Sequence, residues 1–472
     1  MSLAWLSGMV YLLGLLSSLH AVWRCRTSHG AIGWGLSLLF CPYLALPAYW
    51  TFGKDKFSGY VRNFQANSLD RKKMLAQLQL DAHGAQALSV ELRPSQLGFE
   101  KLAQFPLTFG NQVDLLIDGD ESFEAIFAAL REARNYVLVE FFIIKADRVG
   151  REFQKILLDL AGRGVKISLV YDDFGCWMVP ARYFQQMREA GIEVVAFAPG
   201  GWLKGSLEIN FRNHRKIVIV DGAVAFVGGM NISDDALGRN PFYGTWRDTQ
   251  VSLRGPAVLG VQLCFLHDYH WASGGRLPGA LDWTPRVCGG GSDSALYVAS
   301  GPADAGDTGT AMFLHSIQSA QRRLWLATPY FLPTPPVLAA LRMAVLRGVE
   351  VKVIIPTKRD LFLPYLAAFT YLPEALEAGI EIHLYNPGYS HQKIMLIDDE
   401  LSWVGSSNLD ARSMELNFEG NLVVFGSRFA RKIEAMLVQD LARCRRMNPE
   451  DFQRGWLFGL GVRFSRLFVN IL

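Results

Sequence analysis

The second half of this chain repeats the first. Residues 163–173 read RGVKISLVYDD and residues 190–199 read AGIEVVAFAP, while residues 347–355 read RGVEVKVII and residues 378–387 read AGIEIHLYNP. Each pair then runs into a His-x-Lys motif. A helix, a tight Gly turn and an apolar β-branched run recur in both copies, which is the pattern of βα units in a mainly parallel sheet. The repeat therefore predicts an α/β fold of two similar halves forming a pseudo-dimer. They are joined through the Gly-rich stretch at residues 288–292.

The N-terminus reads differently. Residues 1–23 and residues 31–52 contain no charged side chain, so each is long enough to cross a hydrocarbon core of about 30 Å as a helix. A cleavable signal peptide would need positive charge ahead of its apolar stretch, and no Lys or Arg precedes Arg24. The expectation is an uncleaved two-helix transmembrane hairpin at residues 1–53. Pro42 and Pro47 also allow a kinked or re-entrant second span. Lys54, Lys56, Arg62, Arg71, Lys72 and Lys73 follow the second span, against Arg24 and Arg26 in the loop. That bias places the large domain in the cytoplasm, on a multi-pass membrane protein. Residues 54–110 read as a connector, 111–285 as the first half and 286–472 as the second, with a C-terminal amphipathic segment from Trp456 suited to an anionic membrane surface.

His214, Lys216 and Asp221 are spaced His-x-Lys-x4-Asp, and after six intervening residues come Gly228, Gly229 and Asn231. His391, Lys393 and Asp398 repeat the spacing, followed by Gly405, Ser406 and Asn408. The apolar residues between Lys and Asp read as a buried strand, so His and Lys, two apart, share one of its faces. Paired histidines and lysines suit phosphodiester chemistry. A neutral imidazole can attack phosphorus, and a protonated one can give its proton to the leaving oxygen. Two lysines can hold the non-bridging oxygens where charge accumulates, with Asn231 and Asn408 as neutral donors. That set needs no metal and no cofactor. Asp221 and Asp398 stand a strand's length from their histidines and are expected to hold a histidine or lysine in place. Glu140 and Glu419 sit at like places in the halves and are further candidates to orient the histidines.

The duplicated motif resembles that of the phospholipase D superfamily, and the fuller match is to bacterial cardiolipin synthases. It includes the apolar N-terminus ending in Tyr49, Phe52 and Gly53, the NFRNHRK stretch around Asn213, Trp246-Arg247-Asp248, Thr328-Pro329-Tyr330-Phe331, and Asn417-Phe418-Glu419. The resemblance implies two phospholipase D-like halves that join two phosphatidylglycerols into cardiolipin and glycerol at an inner membrane. It also implies His214 as nucleophile and His391 as acid and then base. The family has Gly-Ser after each motif, whereas Gly229 replaces the serine in the first copy and leaves Ser406 as the one hydroxyl expected near substrate.

Phosphatidylglycerol and anionic membrane lipids are thus the expected partners. Nucleic acid is not, because a net charge of +3 is too balanced for a general nucleic-acid binder. The residues leave the oligomeric state open, a homo-oligomer included. Apolar residues 361–372 have no equivalent in the first half and are expected to line a lipid entrance. Hydrolysis by the same histidines, or phosphatidylethanolamine as donor, would use the same machinery. The six scattered cysteines form no ligand spacing and read as reduced thiols.

Overall fold

The computed structural model describes residues 3–25, 28–53, 60, 92–197, 210–304, 306–452 and 455–471. The basic residues at 54, 56, 62 and 71–73, and most of the expected connector, lie outside the described residues. Helix α1 (Leu3–Arg24) has 22 residues, about 33 Å at 1.5 Å per residue. Within it, Trp5–Arg24 is long and apolar enough to cross a membrane.

The second expected span is not one helix. It is α2 (Ser28–Phe40) and α3 (Pro42–Phe52), 13 and 11 residues long, broken at Cys41 with φ −133° and ψ 53°. Pro42 lacks an N–H and pushes the preceding residue out of the helical region. One described helix, rather than two, therefore has spanning length. The three helices pack together at the break, where a Cβ on Gly14 would come 2.5 Å from the Leu38 carbonyl and 2.9 Å from Pro42 Cβ. His20 Nδ1 lies 2.7 Å from the Tyr49 hydroxyl, and Trp50 Nε1 donates to Ser17 Oγ at 3.1 Å. Leu12, Leu16, Leu19 and Leu44 point outward, exposed.

The body is one continuous 16-stranded sheet. Numbering its longer strands in chain order, the first half contributes β1 (Thr108–Ile117), β2 (Tyr136–Phe141), β3 (Lys166–Asp172), β4 (Glu193–Phe197), β5 (Lys216–Val220), β6 (Val224–Gly228) and β7 (Thr249–Arg254). The second contributes β8 (Asp293–Ser300), β9 (Arg323–Ala327), β10 (Glu350–Pro356), β11 (Glu381–Tyr385), β12 (Ile394–Ile397), β13 (Leu401–Gly405), β14 (Asn417–Phe425) and the edge strand β15 (Cys444–Arg446). Outward from the centre the orders are β1-β7-β6-β5-β2-β3-β4 and β8-β14-β13-β12-β9-β10-β11-β15. The same order is written twice, and the copies meet where β1 and β8 pair antiparallel.

The duplication expected from the repeat is thus present as one sheet with an internal twofold. The body starts earlier than residue 111, since β1 begins at Thr108. A helix at Pro94–Ala103 already packs Phe99 into the core of the second half.

Four further helices matter to the site: α4 (Val258–Ala272), α5 (Phe362–Ala368), α6 (Ser427–Leu441) and α7 (Trp456–Ser465). Helices α4 and α6 are counterparts that share one core, Val258, Phe265 and Tyr269 from one with Phe429, Ile433 and Leu437 from the other. Helix α7 packs on α5, with Phe458 5.0 Å from Phe369 ring to ring, yet leaves Trp456, Leu457, Leu460 and Phe464 exposed. One face of the C-terminal segment is therefore core and the other is free apolar surface.

Asp221 and Asp398 are corrected by the fold. Each stands at the far end of its strand in a left-handed turn, φ 51° and 50°, and touches no histidine or lysine of the motifs. Asp221 accepts the backbone N–H groups of Arg134, Asn135 and Tyr136, and Asp398 those of Gln321, Arg322 and Arg323. They cap the turn that enters β2 or β9, and Asp is among the few residues that tolerate that backbone while bonding locally. Asp398→Ala is expected to lower the unfolding free energy by about 2 kcal/mol in a denaturant titration, with turnover per folded molecule close to that of the parent.

Candidate active site

The two motifs meet where the halves face each other. Lys216 opens β5 and Lys393 immediately precedes β12, with His214 and His391 two residues earlier. Both histidines are held across the interface. His214 Nδ1 lies 3.0 Å from both carboxylate oxygens of Glu419, and its backbone N–H donates to Phe418 O at 2.9 Å. His391 Nδ1 lies 2.8 Å from Asp248 Oδ2, and its backbone N–H donates to Arg247 O at 2.8 Å. A carboxylate at Nδ1 holds the proton there, so the lone pair is left on Nε2.

The orienting pair is therefore Glu419 and Asp248, not Glu419 and Glu140. Strand register explains the difference. Glu140 pairs with Ile217 on β5, and its counterpart opposite Ile394 is Ala327. Glu140 instead accepts from the Asn213 side chain beside His214, and burial beside Asp268 holds its carboxyl well above the usual carboxylate range.

Ser406 is also corrected. Its hydroxyl donates to Glu419 and accepts from the Gly420 N–H, so it braces His214's carboxylate rather than facing substrate. In the first copy a Cβ on Gly229 would come 2.5 Å from Asp248 Oδ1. The shorter acid occupies the serine's place, which accounts for glycine there. Asn231 Oδ1 accepts the Ile143 N–H at 3.2 Å, and the buried Asn408 Oδ1 has no hydrogen-bond partner among the described residues.

Lys216 and Lys393 are each 1% exposed, and each Nζ donates to the carbonyl of its own motif histidine. Burial is the largest influence on all four groups. It lowers His214 to about 4, against the pull of Glu419, and lowers His391 as well. It lowers Lys216 to about 7, with Lys393 lowering it further, and lowers Lys393 to about 8, while the carboxylates of Glu419 and Asp248 pull both upward. An arriving phosphodiester anion offsets that penalty by favouring every protonated form.

Behind it lie two buried ion pairs that the motifs alone do not reveal. Arg215 bonds Asp268 on α4, and also donates to Glu419 O at 2.9 Å and Ser300 O at 3.0 Å. Arg247 bonds Asp440 on α6 at 2.8 Å, and Gln392 donates to the same acid at 3.0 Å. Arg215 and Gln392 are the residues between His and Lys in their motifs, so each motif is tied to the long helix of its own half. Tyr60 donates to Asp268 at 2.7 Å, bringing the chain that follows the N-terminal helices to the back of the site.

The pH dependence follows from these directions. A neutral His214 is required above its lowered value of about 4, and charged lysines are required below about 7 to 8. The kcat/KM profile is expected to keep its acid limb below the ordinary imidazole value of about 6.5 and to fall as pH rises through 7 to 8. An acid limb at the ordinary value would contradict the burial argument.

Known proteins resemble this chain. The family model described as "Cardiolipin synthase, PLD-like domain" matches residues 126–241 and 313–441. "Cardiolipin synthase A" of Pseudomonas putida (strain W619) is 42% identical over 470 residues, covering 98% of this chain and 97% of that one. "Cardiolipin synthase A" of Pseudomonas aeruginosa (strain LESB58) is 41% identical over 472 residues, covering 98% and 95%. Among solved structures, phosphatidylserine synthase of Haemophilus influenzae Rd KW20 aligns with a TM-score of 0.62 at 14% identity, covering 80% of this chain and 100% of that one. Polyphosphate kinase from Porphyromonas gingivalis aligns at 0.51 and 13% identity, over 76% and 54%. These two likenesses concern the fold alone. With two copies of one motif crossed over a single site, and relatives matching from end to end, the chain belongs to the cardiolipin synthase family of the phospholipase D superfamily.

Proposed function

We propose that this chain is a phosphatidyl transferase that joins two phosphatidylglycerols into cardiolipin and free glycerol through a phosphatidyl-histidine. The observation that carries the reading is the crossed pairing of His214 with Glu419 and His391 with Asp248. It leaves two Nε2 atoms available over one cationic site. In the first step His214 Nε2 attacks phosphorus, the N–P bond forms and the P–O bond to the headgroup glycerol breaks. His391, protonated once the anion is bound, gives its proton to that leaving oxygen. In the second step His391 takes the proton of the acceptor's 3'-hydroxyl, whose oxygen forms the new O–P bond as the N–P bond breaks. Lys216 and Lys393 hold the non-bridging oxygens throughout, a role worth about 10² to 10³ in rate for each donor.

A lipid, rather than water, as acceptor is supported by the surroundings of His391. Trp246 lies 5.1 Å from its ring and Tyr389 6.0 Å, and beyond Tyr389 opens a cavity of about 240 Å³. Leu361, Pro364, Tyr365, Ala368, Phe369 and Leu372 line it, the segment expected to form a lipid entrance. We place the body on the cytoplasmic face of the inner membrane, with α1 to α3 embedded and the apolar face of α7 against the bilayer. This placement rests on the apolar α1, the basic residues that follow α3 and the phospholipid chemistry of the family.

Purified full-length protein in liposomes with radiolabelled phosphatidylglycerol alone is expected to give cardiolipin and glycerol on thin-layer chromatography. His214→Ala and His391→Ala are expected to abolish both, and Lys216→Ala or Lys393→Ala to slow turnover about a hundredfold without unfolding. Phosphatidic acid as the sole product would make the chain a hydrolase instead. No product from phosphatidylglycerol, with turnover restored by phosphatidylethanolamine, would change the donor.

A further inference from the structure

The loop that follows β10 departs from its counterpart in the first half. Ser168 pairs with Glu193 as Lys352 pairs with Glu381, and this register sets Asp173, Phe174 and Gly175 against Thr357, Lys358 and Arg359. Two cations stand where the first half has a ring and a glycine. Both line the cavity beside His391, as do Arg445, Asp360 and Asp451. The two acids are already engaged. Asp360 accepts the Tyr330 hydroxyl and the Leu361 N–H, and Asp451 takes two hydrogen bonds from Arg445 at 2.8 Å. Among the described residues neither Lys358 nor Arg359 forms an ion pair. The half-buried Lys358 ammonium donates to Tyr243 O at 3.1 Å, which uses one of its three N–H groups. The Arg359 guanidinium lies over the Phe362 and Tyr365 rings, 4.6 and 5.7 Å from their centres, a contact that engages its face and leaves its N–H edge for a ligand.

One layer of rings separates Lys358 from the chemistry. Tyr243, whose carbonyl holds it, packs its ring 5.1 Å from Trp246 and 5.6 Å from Tyr389, and those two rings pack on His391. Asp360 is near enough to Lys393 for its charge to favour that ammonium. The apolar wall of the cavity leads the other way. Its Phe369 packs on Phe458 of α7, whose neighbours Trp456, Leu457 and Leu460 are exposed. A single cavity thus adjoins a site histidine, two cations with donors to spare and an apolar wall backed by a helix with an exposed apolar face.

We propose that Lys358 and Arg359 hold the phosphodiester of the second phosphatidylglycerol, the acceptor, whose own phosphate does not react, while its acyl chains follow the apolar wall toward α7. This rests on the transferase reading above, in which His391 takes the proton of the acceptor hydroxyl. Lys216 and Lys393 serve the reacting phosphate, so a second phosphate needs its own cations. It trails the attacking hydroxyl by a single glycerol, which places it beside the rings around His391. A planar guanidinium meets phosphate oxygens two at a time, and an ammonium adds a point charge.

The test compares acceptors with and without a phosphate. Glycerol, the reaction's own product, has none. Labelled glycerol attacking the phosphatidyl-histidine forms the O–P bond as the N–P bond breaks, gives its proton to His391 and returns labelled phosphatidylglycerol. Initial rates of cardiolipin formation and of glycerol exchange are measured for full-length protein, Lys358→Gln and Arg359→Gln in phosphatidylglycerol liposomes. Both variants are expected to lose about tenfold to a hundredfold in cardiolipin formation. A raised KM for phosphatidylglycerol is expected in that reaction only, with exchange kept within about twofold. Arg359→Lys, which keeps the charge, is expected to recover part of the cardiolipin. Parallel loss of both reactions in the two glutamine variants, or no loss of cardiolipin in either, overturns the assignment. Parent protein that exchanges glycerol but makes no cardiolipin would instead overturn the transferase reading, and the acceptor subsite with it.

Discussion

Each site histidine is oriented by a carboxylate from the opposite half, and the rest of the molecule is arranged around that crossing. Neither half contains a complete site, so the halves must stay in register, and the pairing of β1 with β8 makes one sheet of them. The pairs are buried, which sharpens the constraint. Removing one partner of a buried ion pair leaves the other charge without compensation, at about 3 to 5 kcal/mol. The Arg215–Asp268 and Arg247–Asp440 pairs brace the same loops from behind. Breaking any of the four contacts would therefore act on both the fold and the chemistry.

Within this symmetric frame the two sides have diverged. Glu419 with Ser406 serves His214, while Asp248 with Gly229 serves His391 in the space one serine would need. Aromatic rings and a cavity lined by Leu361, Tyr365 and Phe369 together with Lys358 and Arg359 adjoin His391, while Phe142 packs on His214. A transferase that binds two lipids in different roles has reason for such a difference, because donor and acceptor present different groups at the same moment. The backbone keeps the twofold, and the side chains on each flank give it direction.

Much of this was legible in the chain. The repeat announced two copies of one α/β unit, and the doubled His-x-Lys spacing picked out the four groups at the centre, because such a pattern survives reading without any neighbour in space. Partners across the interface were not legible. Asp248 lies 34 positions from His214 and 143 from His391, and nothing in the sequence says that it serves the farther one. Glu140 looked like the mate of Glu419 because both follow apolar residues near a Phe, yet strand register sets it opposite a residue whose counterpart is alanine. Asp221 and Asp398 belong to the motif by spacing, but the length of a strand carries them away from the chemistry to a turn. Pro42 was visible, and with Pro47 it allowed a kinked or re-entrant second span; that the stretch forms two short helices parted at Cys41 is seen only in the structure.

The central claim is that phosphorus is displaced twice, first by a histidine and then by the acceptor hydroxyl. Each in-line displacement inverts the configuration at phosphorus, so the pair restores it. The most direct test is to supply phosphatidylglycerol made chiral at phosphorus with oxygen isotopes or sulfur and to determine the configuration of the transferred centre in cardiolipin. Retention is the expected result. Inversion would mean one direct displacement by the acceptor, with no phosphatidyl-histidine, and would contradict the account.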